Sequence, residues 1–190
     1  MIEQVLRAIL PVLESLGIPY LLTGGIAVSM HGRPRFTQAI DIVIAPTATR
    51  LFLLIDALDS GFIVWREAAR EAYTRGGEFN AIHRTLVFKV DFWFSTGNTF
   101  DRSRLGRAQS IEVAPGLIAK VATPEDAIIS KLLWLRQGAT ERSADDIRGI
   151  LRAHWGQLDL AYLEGMIGQL GLETLWAPLR PDTWLAGDAD

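Results

Sequence analysis

The stretch that decides the fold reads Leu22-Thr23-Gly24-Gly25-Ile26-Ala27-Val28-Ser29-Met30-His31-Gly32-Arg33-Pro34-Arg35-Phe36-Thr37-Gln38-Ala39-Ile40-Asp41-Ile42-Val43-Ile44. Pro19–Thr23 reads as a short buried strand, and Ile26–Met30 as a short helix. Thr37–Ile44 reads as a second strand, closed by Pro46. Gly24-Gly25 between the first strand and the helix allows either a tight turn or a close approach of backbone to a ligand. Amides at the start of the helix suit phosphate oxygens. Asp41 lies among Ile40, Ile42, Val43 and Ile44. A carboxylate in such a run is costly to bury unless an arginine, a backbone amide or a metal compensates it. Asp91 repeats the situation in Val90-Asp91-Phe92-Trp93-Phe94. The two carboxylates either converge on a cation, with Mg²⁺ suited to an all-oxygen set, or stand unrelated at strand ends.

Outward from this stretch, Ile2, Val5, Leu6, Ile9, Leu10, Leu13 and Leu16 are spaced for a helix that Pro11 bends and Gly17 ends. Thr47–Leu58 is a second amphipathic helix and Phe62–Trp65 a weak strand. Arg66–Arg75 is a helix or a loop. Phe79–His83 and Thr85–Phe94 form a hairpin, and Ser110–Val113 with Leu117–Val121 a second one turning at Pro115-Gly116. Thr123-Pro124-Glu125-Asp126 then starts a helix, with a Thr cap, Pro at the first position and an acid at the third. Ala144–His154 and Leu160–Leu170, the latter capped by Asp159, add two more helices, and Ala186–Asp190 frays. The fold class is α/β (α+β): a small mixed β-sheet with flanking helices over residues 1–122, then a helical C-terminal lobe over residues 123–190. The cleft between them is expected to hold the nucleotide that the resemblance below implies.

The 190 residues suit one domain or one domain with an appended lobe. The absence of cysteine excludes disulfides, thiolate metal sites and cysteine nucleophiles. A net charge of −3 excludes a strongly basic nucleic-acid-coating protein but leaves room for a local basic groove. The cationic residues are almost all arginine, as genome composition or planar phosphate recognition would produce. No run approaches the roughly 20 apolar residues of a membrane span, and Met1-Ile2-Glu3-Gln4 has no basic leader. The expected setting is the cytoplasm.

Four features together resemble the nucleotidyltransferase superfamily of the DNA polymerase β type, and more narrowly the AbiEii/MenT-like toxins of type IV toxin–antitoxin systems. They are Gly24-Gly25-Ile26-Ala27 with His31-Gly32-Arg33-Pro34-Arg35; Thr37-x-x-Ile40-Asp41-Ile42; Val90-Asp91-Phe92; and Thr123-Pro124-Glu125-Asp126-Ala127-Ile128-Ile129-Ser130-Lys131 followed by Arg142 and Asp145-Asp146-Ile147. Their order covers about residues 20 to 150. The resemblance implies transfer of a nucleotide from a nucleoside triphosphate to an RNA acceptor, the tRNA 3′ end, blocking translation, with a cognate antitoxin protein as partner. It assigns Mg²⁺ to Asp41 and Asp91, and catalysis to these two with Lys131. Gly24, Gly25, Arg33, Arg35, Thr37 and Asp146 fall to nucleotide or RNA binding, with Asp145 the competing assignment for Asp146.

One position departs from the pattern. The family carries Asp-x-Asp on the second strand, and residues two apart on a strand share a face. The first acid would stand at position 39, which is Ala39. The chain with Ala39 is therefore expected to transfer little or nothing. Either Ala39 is an engineered inactivating change, or the protein is naturally degenerate and serves as a non-catalytic nucleotide-binding or interaction module. A third reading is nucleotidylation of a protein target. His31, as a lone histidine, reads as structural, and His83 and His154 are too isolated for a metal site. Ser95-Thr96 reads as a turn. The tryptophans Trp65, Trp93, Trp134, Trp155, Trp176 and Trp184 read as packing, with one as a candidate base-stacking surface.

Overall fold

The computed structural model describes residues 1–138 and 141–181. The backbone divides into two compact units: Met1–Ile26 with Phe36–Val121, and Ala27–Arg35 with the residues from Ala122 onward. The short helix α2 (Gly24–His31) thus begins in the first unit and ends in the second. Trp184 and the Ala186–Asp190 tail lie outside the described residues.

The first unit is built on seven strands: β1 (Tyr20–Thr23), β2 (Ala39–Ile44), β3 (Phe62–Val64), β4 (Glu78–His83), β5 (Lys89–Phe94), β6 (Gln109–Ala114) and β7 (Leu117–Val121). They form one sheet in the order β3-β4-β5-β2-β1-β7-β6. β2 pairs with β5, and β1 with β7, in parallel; the other pairs are antiparallel. This is a mixed sheet, as the expected fold class has it. Ile40, Ile42 and Ile44 of β2 and Val90 and Phe92 of β5 line one face, all buried. Phe79 stacks on Phe92 with ring centroids 4.9 Å apart. Burying each such side chain stabilises by roughly 1.5–3 kcal/mol before conformational entropy is subtracted.

Helix α1 (Ile2–Ser15) runs through Pro11, buries Val5, Leu6, Ile9, Leu10 and Leu13, and is followed by Gly17 in the left-handed region. Helix α3 (Ala48–Leu58) is capped by Thr47, whose hydroxyl accepts from the Arg50 amide. Arg66–Arg75 is a helix, α4, with only Ala69 buried. Two features of this unit depart from the sequence reading or were missed by it. The second strand of the first hairpin starts at Lys89, not Thr85, because residues 84–88 are spent on the turn. There the Leu86 amide donates to His83 Nδ1 and Val87 adopts φ +49°. Helix α5 (Thr99–Arg107) carries no apolar periodicity. It forms on polar contacts instead: Asn98 accepts from the Asp101 amide, and the Asp101 carboxylate takes the amide and hydroxyl of Thr96 at 2.7 and 2.8 Å. Ser95-Thr96 is thereby a structural turn.

The second unit contains helices α6 (Pro124–Arg136), α7 (Glu141–His154), α8 (Leu160–Leu170) and the short α9 (Glu173–Trp176). Helix α7 starts three residues before the predicted Ala144, and α9 was not predicted. The start of α6 is the expected cap: the Thr123 hydroxyl accepts from the Asp126 amide and donates to its carboxylate. The Tyr162 hydroxyl donates to the other Asp126 oxygen at 2.6 Å. Ile128, Ile129, Leu132, Ile147, Ile150, Leu151, Leu163 and Ile167 form the core. Gly32 packs on α7 closely enough that a Cβ would stand 3.2 Å from the backbone of Gly149 and Ile150. Among the described residues no helix is long and apolar enough to cross a membrane.

Candidate active site

In the first unit, four polar residues stand in register on adjacent strands. Thr23 of β1 is opposite Asp41 of β2, Asp41 is opposite Asp91 of β5, and Asp91 is opposite Asn80 of β4. Residues paired across a ladder point to the same face, with strands about 4.8 Å apart. The row Thr23–Asp41–Asp91–Asn80 therefore presents one line of oxygens. Asp91 and Thr23 are only 6% and 7% exposed. Asp91 Oδ1, Thr23 Oγ1 and Asn80 Oδ1 are buried without a hydrogen-bond partner. The sequence reading paired the two aspartates and missed Thr23 and Asn80.

Ala39 lies opposite Lys89 in the same register. The Lys89 ammonium reaches along its own strand to Asp91 Oδ2 at 2.9 Å. The hydrogen bond to Asp91 raises the Lys89 pKa, with the charges of Asp91, Glu78 and Asp41 acting in the same sense against the cost of burial. Glu78 has its own pKa raised, by burial first and then by the Asp91 and Asp41 charges. Position 39 thus bears no charge while its paired position carries a positive one. Trp93 follows two residues after Asp91 on the same face and is half-buried.

The glycine turn is shaped by the same residues. Gly24 has φ +56°, and a Cβ there would stand 2.0 Å from Asp41 Oδ2. A Cβ on Gly25 would stand 2.5 Å from Thr37 Oγ1. The space these glycines leave is filled by the chain's own side chains. Thr37 in turn donates to the Ala39 carbonyl at 2.8 Å, fixing the entry to β2.

The other predicted residues gather in the second unit. Asp146, 5% exposed at its side chain, receives Arg35 in a two-pronged contact, Nε to Oδ1 and Nη2 to Oδ2, both at 2.9 Å. Lys131 Nζ lies 2.9 Å from the same Oδ2. Asp145 turns instead to Arg148 at 2.9 Å, so Asp146 is the partner of Lys131. A cavity of about 670 Å³ is lined by Arg33, Arg35, Arg142, Arg148 and Arg152 together with Asp145 and Asp146. Arg148 and Arg152 escaped the sequence reading, although their spacing of four residues puts the two on one side of a helix.

His31 is buried, with Nε2 2.7 Å from the Ala122 carbonyl. Its ring meets that of His154 edge-on, with centroids 5.7 Å apart. Its role is structural. Trp176 is buried, whereas Trp65 and Trp134 are exposed.

Does the carboxylate face fit a divalent ion? Among the described residues no group of three His, Cys, Asp or Glu side chains converges. Mg²⁺, however, is commonly held by one or two carboxylates plus substrate phosphates. Asp41 and Asp91, with a buried unpartnered oxygen on Asp91, fit one such ion. They do not provide for a second, because Ala39 offers no donor.

Solved structures share this fold. The chain is similar to the antibiotic-resistance factor ANT(2'')-Ia, with a TM-score of 0.57 at 15% identity over 93% of both chains. It is similar to the lincosamide antibiotic adenylyltransferase LnuA, with a TM-score of 0.52 at 18% identity over 78% of this chain and 95% of the other. It is also similar to an antigenic nucleotidyltransferase-like protein from Paracoccidioides brasiliensis, with a TM-score of 0.51 at 18% identity over 85% of each. No protein-family model matches the sequence, and no curated protein does. The fold is that of the nucleotidyltransferases.

Proposed function

We propose that the chain is a nucleotidyltransferase of the toxin type, acting in the cytoplasm with a cognate antitoxin, whose present form is impaired at position 39. The reaction joins a hydroxyl oxygen of the acceptor to the α-phosphorus of a nucleoside triphosphate and releases pyrophosphate. The observation that carries this reading is the in-register pair Asp41–Asp91 directly beside the Gly24 turn. Asp41 and Asp91 would hold one Mg²⁺, which when bound neutralises charge developing on the phosphate. Five arginines around one cavity, in a chain of net charge −3, support a polyanionic partner. The tRNA 3′ end is the acceptor we favour. Lys131 and Arg35, held by Asp146, supply positive charge for phosphate, and Arg33 adds to it.

A second reading is a non-catalytic nucleotide-binding module. The pairing of Ala39 with Lys89 favours it, since the carboxylate lost at one position faces an ammonium-bearing residue at the other. A structure of ANT(2'')-Ia holds adenylyl-2''-tobramycin, so a small hydroxylated acceptor is a further possibility for the same chemistry.

The test is a label-transfer assay on the chain and its Ala39→Asp variant, with Mg²⁺, each labelled triphosphate in turn, and total tRNA. The variant is expected to label RNA at least about a hundredfold faster than the parent, the scale on which one transition-state contact matters. Label on protein instead would redirect the reading to a protein target. No label on RNA or protein with either form would overturn it.

A further inference from the structure

We propose that Asp91, Trp93, Asn80 and Glu78, neighbours on one face of β4 and β5, form the subsite that receives the acceptor, and that it takes a ring bearing vicinal hydroxyls, a ribose or a free sugar. Asp91 is opposite Asn80, and Trp93 is opposite Glu78. Within each strand the two residues are two apart and share a face. The backbone positions therefore mark the corners of a patch about 4.8 Å by about 6.6 Å, the footprint of one sugar ring. The charges of Asp91 and Asp41 reach the Glu78 carboxyl, as its place on this face requires.

The patch opens toward the β4 edge. In the row of Trp93 the next residues toward β1 are Val43 and Leu21, both buried. On the other side β3 pairs with β4 only from Ala81 to His83, so among the described residues no paired strand flanks Asn80 and Glu78. Glu78 is exposed, and Asn80 and Trp93 are half-buried. A ligand entering over this edge reaches Asp91.

The side chains define the ligand. Asp91 Oδ1 and Asn80 Oδ1 are buried without a hydrogen-bond partner, and the Glu78 carboxylate adds further acceptor oxygens. Such a set calls for donors. Hydroxyl and amine groups supply them, whereas a phosphate supplies none and is repelled by Glu78 and Asp91. Trp93 adds an apolar indole face against which the C–H side of a ring packs. A hydroxyl held between Asn80 and Asp91 stands beside the carboxylate pair, where the transfer needs its attacking oxygen. The inference rests on the reading of this face as the nucleotide-transfer site, but its test needs no nucleotide.

The experiment is fluorine NMR on the full chain labelled with 5-fluorotryptophan, the Trp93 signal being identified by its loss in Trp93→Phe. The probes are the trinucleotide CCA with a free 3′ end, its 2′,3′-dideoxy counterpart, and glucosamine. The Trp93 signal is expected to shift with CCA, and with the dideoxy form only at a concentration about tenfold higher or more, the scale of one hydrogen bond to a charged group. A shift with glucosamine alone would support the subsite and make a free sugar its source. Asn80→Leu and Glu78→Gln should each weaken binding by about tenfold, with the urea midpoint of Glu78→Gln unchanged. A Trp93 signal that moves with neither CCA nor glucosamine, a shift of equal size with CCA and its dideoxy form, or variants that bind as the parent does would overturn the proposal. RNA labelling by Ala39→Asp in that same case would leave the transferase reading intact.

Discussion

Gly24 lies directly against Asp41: with φ at +56°, a Cβ added to the glycine would stand 2.0 Å from Oδ2 and 2.9 Å from Cβ of the aspartate. The turn after β1 and the acid on β2 therefore specify each other. Replacing Gly24 by Ala strains the left-handed backbone and drives the Asp41 side chain out of the row. The expected loss is about 1–3 kcal/mol of stability. Urea unfolding checks it. An unchanged unfolding midpoint would mean that the turn has room the geometry denies it.

Asp146 holds two cations at once, Arg35 and Lys131, with its own side chain 5% exposed. Removing it leaves both without their carboxylate, whereas removing Lys131 leaves Asp146 still paired to Arg35. Asp146→Ala should cost about 3–5 kcal/mol and Lys131→Met distinctly less. Equal losses in denaturant unfolding would contradict the shared-carboxylate arrangement.

His31 gives a pH dependence of defined sign. Burial lowers its pKa below the ordinary 6.5, opposed by the hydrogen bond to the Ala122 carbonyl. The folded chain thus favours the neutral ring. Above pH 6.5 the ring is neutral in both states and its contribution is complete. Below that value the unfolded chain takes up the proton first, so stability falls until the folded ring also protonates. Melting temperatures of the parent should decline on acidification below pH 6.5 more steeply than those of His31→Gln. Parallel profiles would rule His31 out as the source.

Val87 carries a β-branched side chain at φ +49° and is 79% exposed. Its left-handed backbone costs about 1–2 kcal/mol, and little burial offsets it. Val87→Asn, a residue that tolerates this region, should raise stability by about 1 kcal/mol. Calorimetry showing a loss would mean that the turn between β4 and β5 depends on the valine.

Most of the fold was legible because apolar periodicity and caps act locally. The strand–Gly-Gly–helix–strand order, the Thr123 cap and the Asp159 cap all follow from neighbouring residues alone. Helix α5 was not legible, since it rests on Asn98, Asp101 and Thr96 meeting through polar contacts without an apolar stripe. The start of β5 was misread because a turn can spend residues of high strand propensity, as it does at Thr85 and Val87.

The site divides along the same line. The sequence by itself determined that Asp41 and Asp91 lie within strands, that position 39 lacks an acid, and that Lys131, Asp146 and the arginines fall on or beside helices. Which strands become neighbours is a tertiary matter, because pairing joins residues far apart in the chain and a shift of one residue turns a side chain to the opposite face. Only the sheet register set Asp41 beside Asp91, added Thr23 and Asn80 to their row, and put Lys89 opposite Ala39. Only the packing of α6 and α7 chose Asp146 over Asp145 as the partner of Lys131.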